Sequence, residues 1–412
     1  MVLQRLLADT RGSSVLAGIL AVLVGWAGPN VLIYSVQQAA GLPPSATWSW
    51  LWAQAVFTGL ASIYLSLRAR QPILSTWSTP GIAFLVTALP GIPFAEAVGA
   101  FVTSGVLILL LGLVKPLTTL LAKLPTHLAA ALNAAILLPF ALHVVTALGE
   151  LPIVVGAMVL GYFLVRKVSP QWAVAAVLVI GVLMSTASGT LHPTSLTLAL
   201  TQPEFVVPQF SLRATISLAL PLTLIAFTGQ FLPGFGVLKA QGYDANLSSI
   251  MRGCGLASIG AAFFGCHNLT LAALLANMVT GPDVHPDPQR RYPAAVWAGV
   301  ANIVVGLFAG TVAQLLGILP APALAALAGL ALASALGQSL AAAIAPATQG
   351  RTGSLAAATI LAVTVSGFAP WGIGSAFWGV TAGLGVHALE CLPLGRGRQP
   401  EGTPHAVASS RR

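Results

Sequence analysis

Two polar interruptions inside apolar sequence hold the side chains best suited to grip a small ligand. One is Ser75-Thr76-Trp77-Ser78-Thr79-Pro80-Gly81, the other Phe263-Phe264-Gly265-Cys266-His267-Asn268. Pro80 suits the first turn of a helix, and Ser78 or Thr79 before it is a good N-cap. The first break therefore predicts extended chain that turns helical near Pro80, leaving a helix N-terminus within the membrane. In the second, Gly265 ends one apolar run, Asn268 is read as an N-cap, and His267 stands just ahead of it, with Cys266 and Thr270 alongside. Two facing helix N-termini offer roughly one positive charge without a lysine or arginine, which suits a small anion. Thr228 and Gln230, before an expected kink at Pro233-Gly234-Phe235-Gly236, and Asn30, beside Pro29, add polar groups within two further spans. The candidate substrate-binding set is Asn30, Ser78, Thr79, Gly81, Gln230, Cys266, His267, Asn268 and Thr270. The plainer alternative, polar residues that satisfy backbone groups freed at helix kinks, stays open.

Proton chemistry in a membrane calls for a titratable residue near the cargo. Mid-span aspartate, glutamate, lysine and arginine are missing from the pattern, and Glu390 falls at a span end. His267 is better placed than His127 or His143. A helix N-terminus favours its neutral form and an arriving carboxylate its protonated form, so cargo and proton would bind cooperatively. Asp283 and His285-Pro286-Asp287-Pro288 form a proline-stiffened turn, and neither a metal site nor a cofactor is predicted. Walker-type phosphate loops, His-Glu-x-x-His and Gly-x-Ser-x-Gly are not found, so ATP-driven transport and hydrolytic catalysis are not expected.

The elements that must carry these residues are membrane spans. Hydrophobic residues make up 57% of the 412 and charged residues 7%, with mean hydropathy +0.89. A soluble domain carries roughly 25% charged residues. At about 20 residues per crossing the chain has room for as many as fourteen spans. The third is read at 73–90, the eighth at 212–237, the tenth at 266–280 and the eleventh at 293–316. With the N-terminus inside, nearly every lysine and arginine falls on the inner side, while Arg213 lies outside with Glu96, Glu150 and Glu204. This asymmetry explains the formal charge of +9 without a nucleic acid. Cys254 and Cys391 read as small buried hydrophobes.

Fourteen spans divide into two repeats of seven, residues 1–190 and 191–394, followed by a disordered cytoplasmic tail, 395–412. An odd number per repeat forces the second copy to run inverted. Gly25-Trp26-Ala27-Gly28-Pro29-Asn30-Val31-Leu32 echoes Gly229-Gln230-Phe231-Leu232-Pro233-Gly234, and Leu124-Pro125-Thr126-His127-Leu128-Ala129-Ala130 echoes Leu319-Pro320-Ala321-Pro322-Ala323-Leu324-Ala325. The predicted fold class is an all-α integral membrane protein, with spans 3 and 10 broken into half-helices.

The stretch Leu220–Leu340 resembles the benzoate:proton symporter family. The resemblance is carried by Pro221-Leu222, by Gln230 to Gly234, by Val237-Leu238-Lys239-Ala240-Gln241-Gly242-Tyr243, and most specifically by Gly281-Pro282-Asp283-Val284-His285-Pro286-Asp287-Pro288-Gln289-Arg290-Arg291-Tyr292. It implies the inverted seven-plus-seven fold of uracil and sulfate carriers. Spans 1–4 and 8–11 would form a core domain and spans 5–7 and 12–14 a gate, with cargo between spans 3 and 10. It also implies proton-driven import of benzoate or a similar aromatic carboxylate across a bacterial inner (plasma) membrane, both termini cytoplasmic. Trp77, Phe231 or Phe264 would contact the ring. Related folds often dimerise, so a homodimer is a further expectation, although no dimer face is readable. The membrane glutamates that uracil carriers use in spans 8 and 10 have no counterpart here, so their proton route does not transfer. Alternatives are a carrier of another small anion or nucleobase, a passive anion channel on the same scaffold, and, least favoured, a membrane enzyme.

Overall fold

The computed structural model describes residues 2–28, 30–114, 116–118, 125–191, 197–273, 275–348 and 353–392. The expected tail, Pro29 and the inner-side charges Lys115, Lys123 and Arg351 lie outside the described residues. A short amphipathic helix, α1 (Val2–Asp9), precedes α2 (Gly12–Ala27), α3 (Val31–Ala40) and α4 (Pro44–Ala69). Strand β1 (Ser75–Trp77) runs into α5 (Thr79–Ala88), followed by α6 (Phe94–Leu113), α7 (Thr126–Glu150), α8 (Pro152–Val168) and α9 (Ala173–Ala187). In the second half come α10 (Leu212–Ala240), α11 (Leu247–Ala262), strand β2 (Leu269–Leu271), α12 (Ala276–Thr280), α13 (Tyr292–Leu307), α14 (Ala309–Leu316), α15 (Ala321–Thr348), α16 (Ser354–Val365) and α17 (Ser375–Cys391).

Element order repeats between the halves. Residues Gly12–Ala40 and Leu212–Ala240 each span 29 residues, and each half then continues through a long helix into a three-residue strand and a short helix. The packing repeats too. α6 lies along α11, and α4 lies along α13; exchanging the halves turns one pair into the other. Among the described residues seven helices are long and apolar enough to cross a membrane, eight if α13 and α14, bent by 76°, count as one span. The expected fourteen crossings are thus not matched by fourteen long helices: spans 3 and 10 are assembled from short pieces, and α8, α11, α16 and α17 are continuous but have 17, 16, 12 and 17 residues.

β1 and β2 pair antiparallel, Ser75 opposite Leu271, Thr76 opposite Thr270 and Trp77 opposite Leu269. The ladder continues at both ends through Ser78 N–H to Asn268 O (3.0 Å) and Ala272 N–H to Leu74 O (2.8 Å). Backbone polar groups at membrane depth must be paired within the protein, and this ribbon lets each broken span satisfy the other. Serines on the flanking long helices complete it: Ser62 of α4 accepts from Ser75 N–H (2.9 Å), and Ser258 of α11 accepts from Leu269 N–H (2.9 Å).

The expected kink at Pro233-Gly234-Phe235-Gly236 is not a break. α10 runs through it, with π-turns at Thr215–Ala219 and Phe227–Phe231. Each lies just ahead of a proline, Pro221 or Pro233, and a widened turn absorbs the missing N–H and the ring. At the α4–α13 crossing Gly59 and Gly299 face each other; a Cβ on either would stand 2.5–2.6 Å from the other's carbonyl oxygen. Close approach of this kind holds helices together in lipid, where no hydrophobic force does. Two sets of helices pack mainly among themselves: α7, α8, α9, α15, α16 and α17 in one, and α2, α4, α6, α10, α11, α12, α13 and α14 in the other.

The loop after α12 is organised by one side chain. Arg291 is buried and donates to the carbonyls of His285 (2.7 Å), Thr280 (2.8 Å) and Pro286 (3.2 Å). His285 Nδ1 accepts from Asp287 N–H, and Asp287 Oδ1 accepts from Gln289 N–H, so these groups are used within the turn. Burial raises the pKa of the nearby Tyr243 phenol. Cys254 is buried as expected; Cys391 is exposed at the end of α17, because that last turn has no neighbour to cover it among the described residues.

Candidate functional site

The two breaks meet at Ser78 and His267. Ser78 caps α5, its Oγ accepting from Gly81 N–H at 3.1 Å. Its carbonyl oxygen lies 2.9 Å from His267 Nε2. A carbonyl only accepts, so Nε2 carries the proton and neutral His267 keeps its lone pair on Nδ1. That nitrogen is buried without a partner. The Trp50 ring lies 5.6 Å from the imidazole. Gly81 is what lets the imidazole sit there: a Cβ would stand 2.9 Å from Ser78 Oγ and 3.0 Å from His267 Cδ2. Thr79 is half-buried beside the cap.

Asn268 starts a directed chain. Its Nδ2 donates to Ser104 Oγ (2.8 Å), which is 2.7 Å from Thr223 Oγ1, and Thr223 gives its proton to Ala219 O (2.7 Å). Since Thr223 has donated, Ser104 must donate to it. Asn268 Oδ1 is left without a partner. Thr270 Oγ1 donates to Thr76 O (3.3 Å), and the buried Cys266 thiol lies 3.3 Å from His267 O. The expectation that Asn268 caps a helix is corrected: residues 269–271 are strand, and α12 begins only at Ala276. Pairing with β1 satisfies more backbone than an early helix would. The helix that follows has five residues, so the site has one substantial helix N-terminus, that of α5, and not the two expected.

Asn30 and Gln230 stand apart from this pair. Asn30 is fully buried and accepts from Gln54 Nε2 at 2.6 Å. Gln230 sits in the second π-turn, 9% exposed. The neighbouring Gly229 faces Asn133 of α7, whose amide nitrogen lies 3.2 Å from where a Gly229 Cβ would be; Asn133 Oδ1 has no partner. Of the three ring-contact candidates, Trp77 lies edge-on to Trp26 at 6.1 Å and lines a small void with Gly25, Thr58, Thr76, Leu275 and Asn302. Phe231 packs with Cys254 and Leu271. Phe264 is part of an aromatic group with Trp52 and Phe57. Sequence reasoning missed Trp50, Gln54, Ser104, Thr223 and Asn133. A signal for the first two was available: Thr47, Trp50, Gln54, Thr58, Ser62 and Ser66 recur every three or four residues along one apolar span.

A pair of broken spans that pair with each other, one from each of two halves of repeated order, defines a membrane transporter of the inverted-repeat class. Solved structures agree on the fold. The transmembrane domain of a cyanobacterium bicarbonate transporter, BicA, superposes with a TM-score of 0.62 over 90% of this chain and 97% of that one, at 15% identity. The murine anion transporter Slc26a9 in its inward-facing state gives 0.64 over 94% of this chain and 70% of that one, at 13% identity. The chain belongs to the benzoate membrane transport protein family, whose model matches residues 8–389. It is 37% identical to the "Benzoate membrane transport protein" of Acinetobacter baylyi (strain ATCC 33305 / BD413 / ADP1), over 95% of this chain and 98% of that protein. It is 36% identical to "Inner membrane protein YdcO" of Escherichia coli (strain K12), over 93% and 97%. The chain is a transporter and not an enzyme.

Proposed function

We propose that this transporter imports benzoate, or a similar aromatic carboxylate, by proton symport across a bacterial inner membrane. The observation that carries the cargo assignment is the 37% identity to the Acinetobacter protein over nearly the whole of both chains. Coupling rests on His267, the buried imidazole at the crossing of the broken spans. Its Nε2–H is held by Ser78 O, so the incoming proton goes to Nδ1. A carboxylate arriving near that nitrogen favours the imidazolium, and the imidazolium favours the carboxylate. Cargo and proton then load together, as symport requires. Ser78, Thr79, Gly81, Cys266, His267, Asn268 and Thr270 form the pole at the breaks, with Asn30 and Gln230 on the flanking spans. The helix set containing α4, α10 and α13 acts as the core and the set containing α7 and α15 as the gate, the repeats dividing near residue 190. Both termini face the cytoplasm, in keeping with the distribution of basic residues.

Labelled benzoate uptake into proteoliposomes under an inward-directed proton gradient tests this. The parent protein should accumulate benzoate above equilibrium, and His267→Gln should only equilibrate it. Accumulation by both would remove His267 from the coupling role; no uptake by folded protein would remove benzoate as cargo.

A further inference from the structure

α4 buries a file of polar groups at helical spacing, and only its lower part is used by the fold. Ser62 Oγ takes the Ser75 N–H and Ser66 Oγ pairs with both backbone groups of Ile73. Above them Thr47 Oγ1, Trp50 Nε1, Gln54 Oε1 and Thr58 Oγ1 have no partner among the described residues, and across from them neither have Asn30 Nδ2, Trp77 Nε1 or His267 Nδ1. The four on α4 follow one another at helical spacing, and each of the other three meets one of them. The Trp50 and His267 rings lie 5.6 Å apart, Asn30 and Gln54 share a 2.6 Å hydrogen bond, and Thr58 and Trp77 line one void with room for about a single water. Native interiors leave few buried polar groups unpaired, and each such group calls for a partner. Seven in one file call for a shared one.

The chemistry of the file selects that partner. Trp50, Trp77 and Asn30 present N–H donors, which repel a cation. Gln54 Oε1 and His267 Nδ1 present only acceptors, which repel an anion, and the two threonine hydroxyls do either. Water alone serves all three kinds, and successive helical turns place side chains about 5–6 Å apart, the span of one bridging water. We propose that this file holds bound water and carries the coupling proton between His267 Nδ1 and the void beside Thr58. The proposal rests on the symport reading above and adds its proton route. A water O–H bond breaks as its proton joins the Nδ1 lone pair. The next water returns a proton to that oxygen, and a hydronium from the aqueous side makes good the last water in the void, so one proton moves in net and Nε2–H stays on Ser78 O. The charged groups on the elements around His267 are Arg68 on α4, Glu96 on α6, Arg213 and Lys239 on α10 and Arg252 on α11, all towards helix ends, with none on α5. The thiols of Cys254 and Cys266 are the other titratable groups close by.

The test uses the full-length protein in proteoliposomes carrying an internal pH dye, read above the leak of protein-free vesicles. Thr58→Val removes one hydroxyl at nearly constant volume and lies outside the candidate polar set for the cargo, although it lines the void beside Trp77. It should keep benzoate counterflow within about twofold and lose about tenfold in proton-driven net uptake and interior acidification, while Thr58→Ser keeps both. Net uptake unchanged in Thr58→Val would overturn the proposal. So would counterflow and net uptake falling together in Thr58→Val without rescue by serine, which marks a structural role. Benzoate uptake by the parent without acidification, or driven by sodium, would overturn the symport reading and this route with it; that outcome is seen in the parent alone.

Discussion

At the scale of the residue, one hydrogen bond orders the candidate site. Ser78 O holds His267 Nε2, and this fixes which nitrogen is free to titrate. Gly81 sets the clearance for that contact, since a methyl group there meets both Ser78 Oγ and the imidazole edge at about van der Waals overlap. Gly81→Ala is expected to push the ring off Ser78 O. Overpacking of this kind costs about 1–3 kcal/mol, so the variant should still fold while proton-driven uptake drops by about tenfold or more. Uptake at the parental rate, with an unchanged melting temperature in detergent, would show that the imidazole does not need this position. The types of these residues are legible in sequence, because polar groups in apolar spans stand out. Their partners are not. Gln54 reaches Asn30, and Ser104 reaches Asn268, only through helices that neighbour them in space. Asn268 has the composition of an N-cap, yet its environment is decided by a strand almost two hundred positions away, through the Ser78 N–H that its carbonyl accepts.

At the scale of the element, short pieces replace whole spans wherever backbone groups can be paired by other means. The ribbon of β1 and β2 was legible as two breaks but not as a sheet, since Leu269-Thr270-Leu271 is as good a start for a buried helix as for a strand. Pairing between distant segments chose the strand. Pro233 likewise reads as a kink in sequence, and the structure absorbs it in a π-turn because α10 is packed on both sides. The loop Gly281 to Tyr292 was singled out by resemblance, and its physical basis is Arg291. A forked, planar guanidinium can donate to three carbonyls at once, whereas a lysine ammonium is a point charge on a flexible stem. Hydrogen bonds from charged donors are worth about 1.5–3 kcal/mol each, so Arg291→Lys, losing one or two, is expected to destabilise by about 2–4 kcal/mol. Thermal unfolding in detergent measures it. A lysine variant as stable as the parent would mean that the loop carbonyls find water instead.

At the scale of the whole molecule, the proposed core-and-gate division has one set of helices move against the other. The contacts that would slide lie where the broken or bulged spans touch the opposite set. Gly28, at the end of α2, faces Val174 of α9 and Ala331 of α15; Gly229, in the π-turn of α10, faces Asn133 of α7. The two contacts occupy corresponding places in the repeats, and glycine allows close approach at each. In the second, Asn133 Cγ lies 3.6 Å from the position of a Gly229 Cβ. A cysteine sulfur at position 133 would occupy much the same place, near the reach of a disulfide with its sulfurs about 2 Å apart. The pair Asn133→Cys and Gly229→Cys, in a background with the exposed Cys391 replaced by serine, should therefore cross-link on mild oxidation. If the two sets move relative to each other during each cycle, the bridge should cut benzoate uptake by about tenfold or more, and reduction should restore it. Each single cysteine variant, oxidised alongside, should transport like its reduced form. Full uptake by protein that gel mobility shows to be cross-linked would reject motion at this contact and place the moving boundary elsewhere, within the helix set that carries the ribbon.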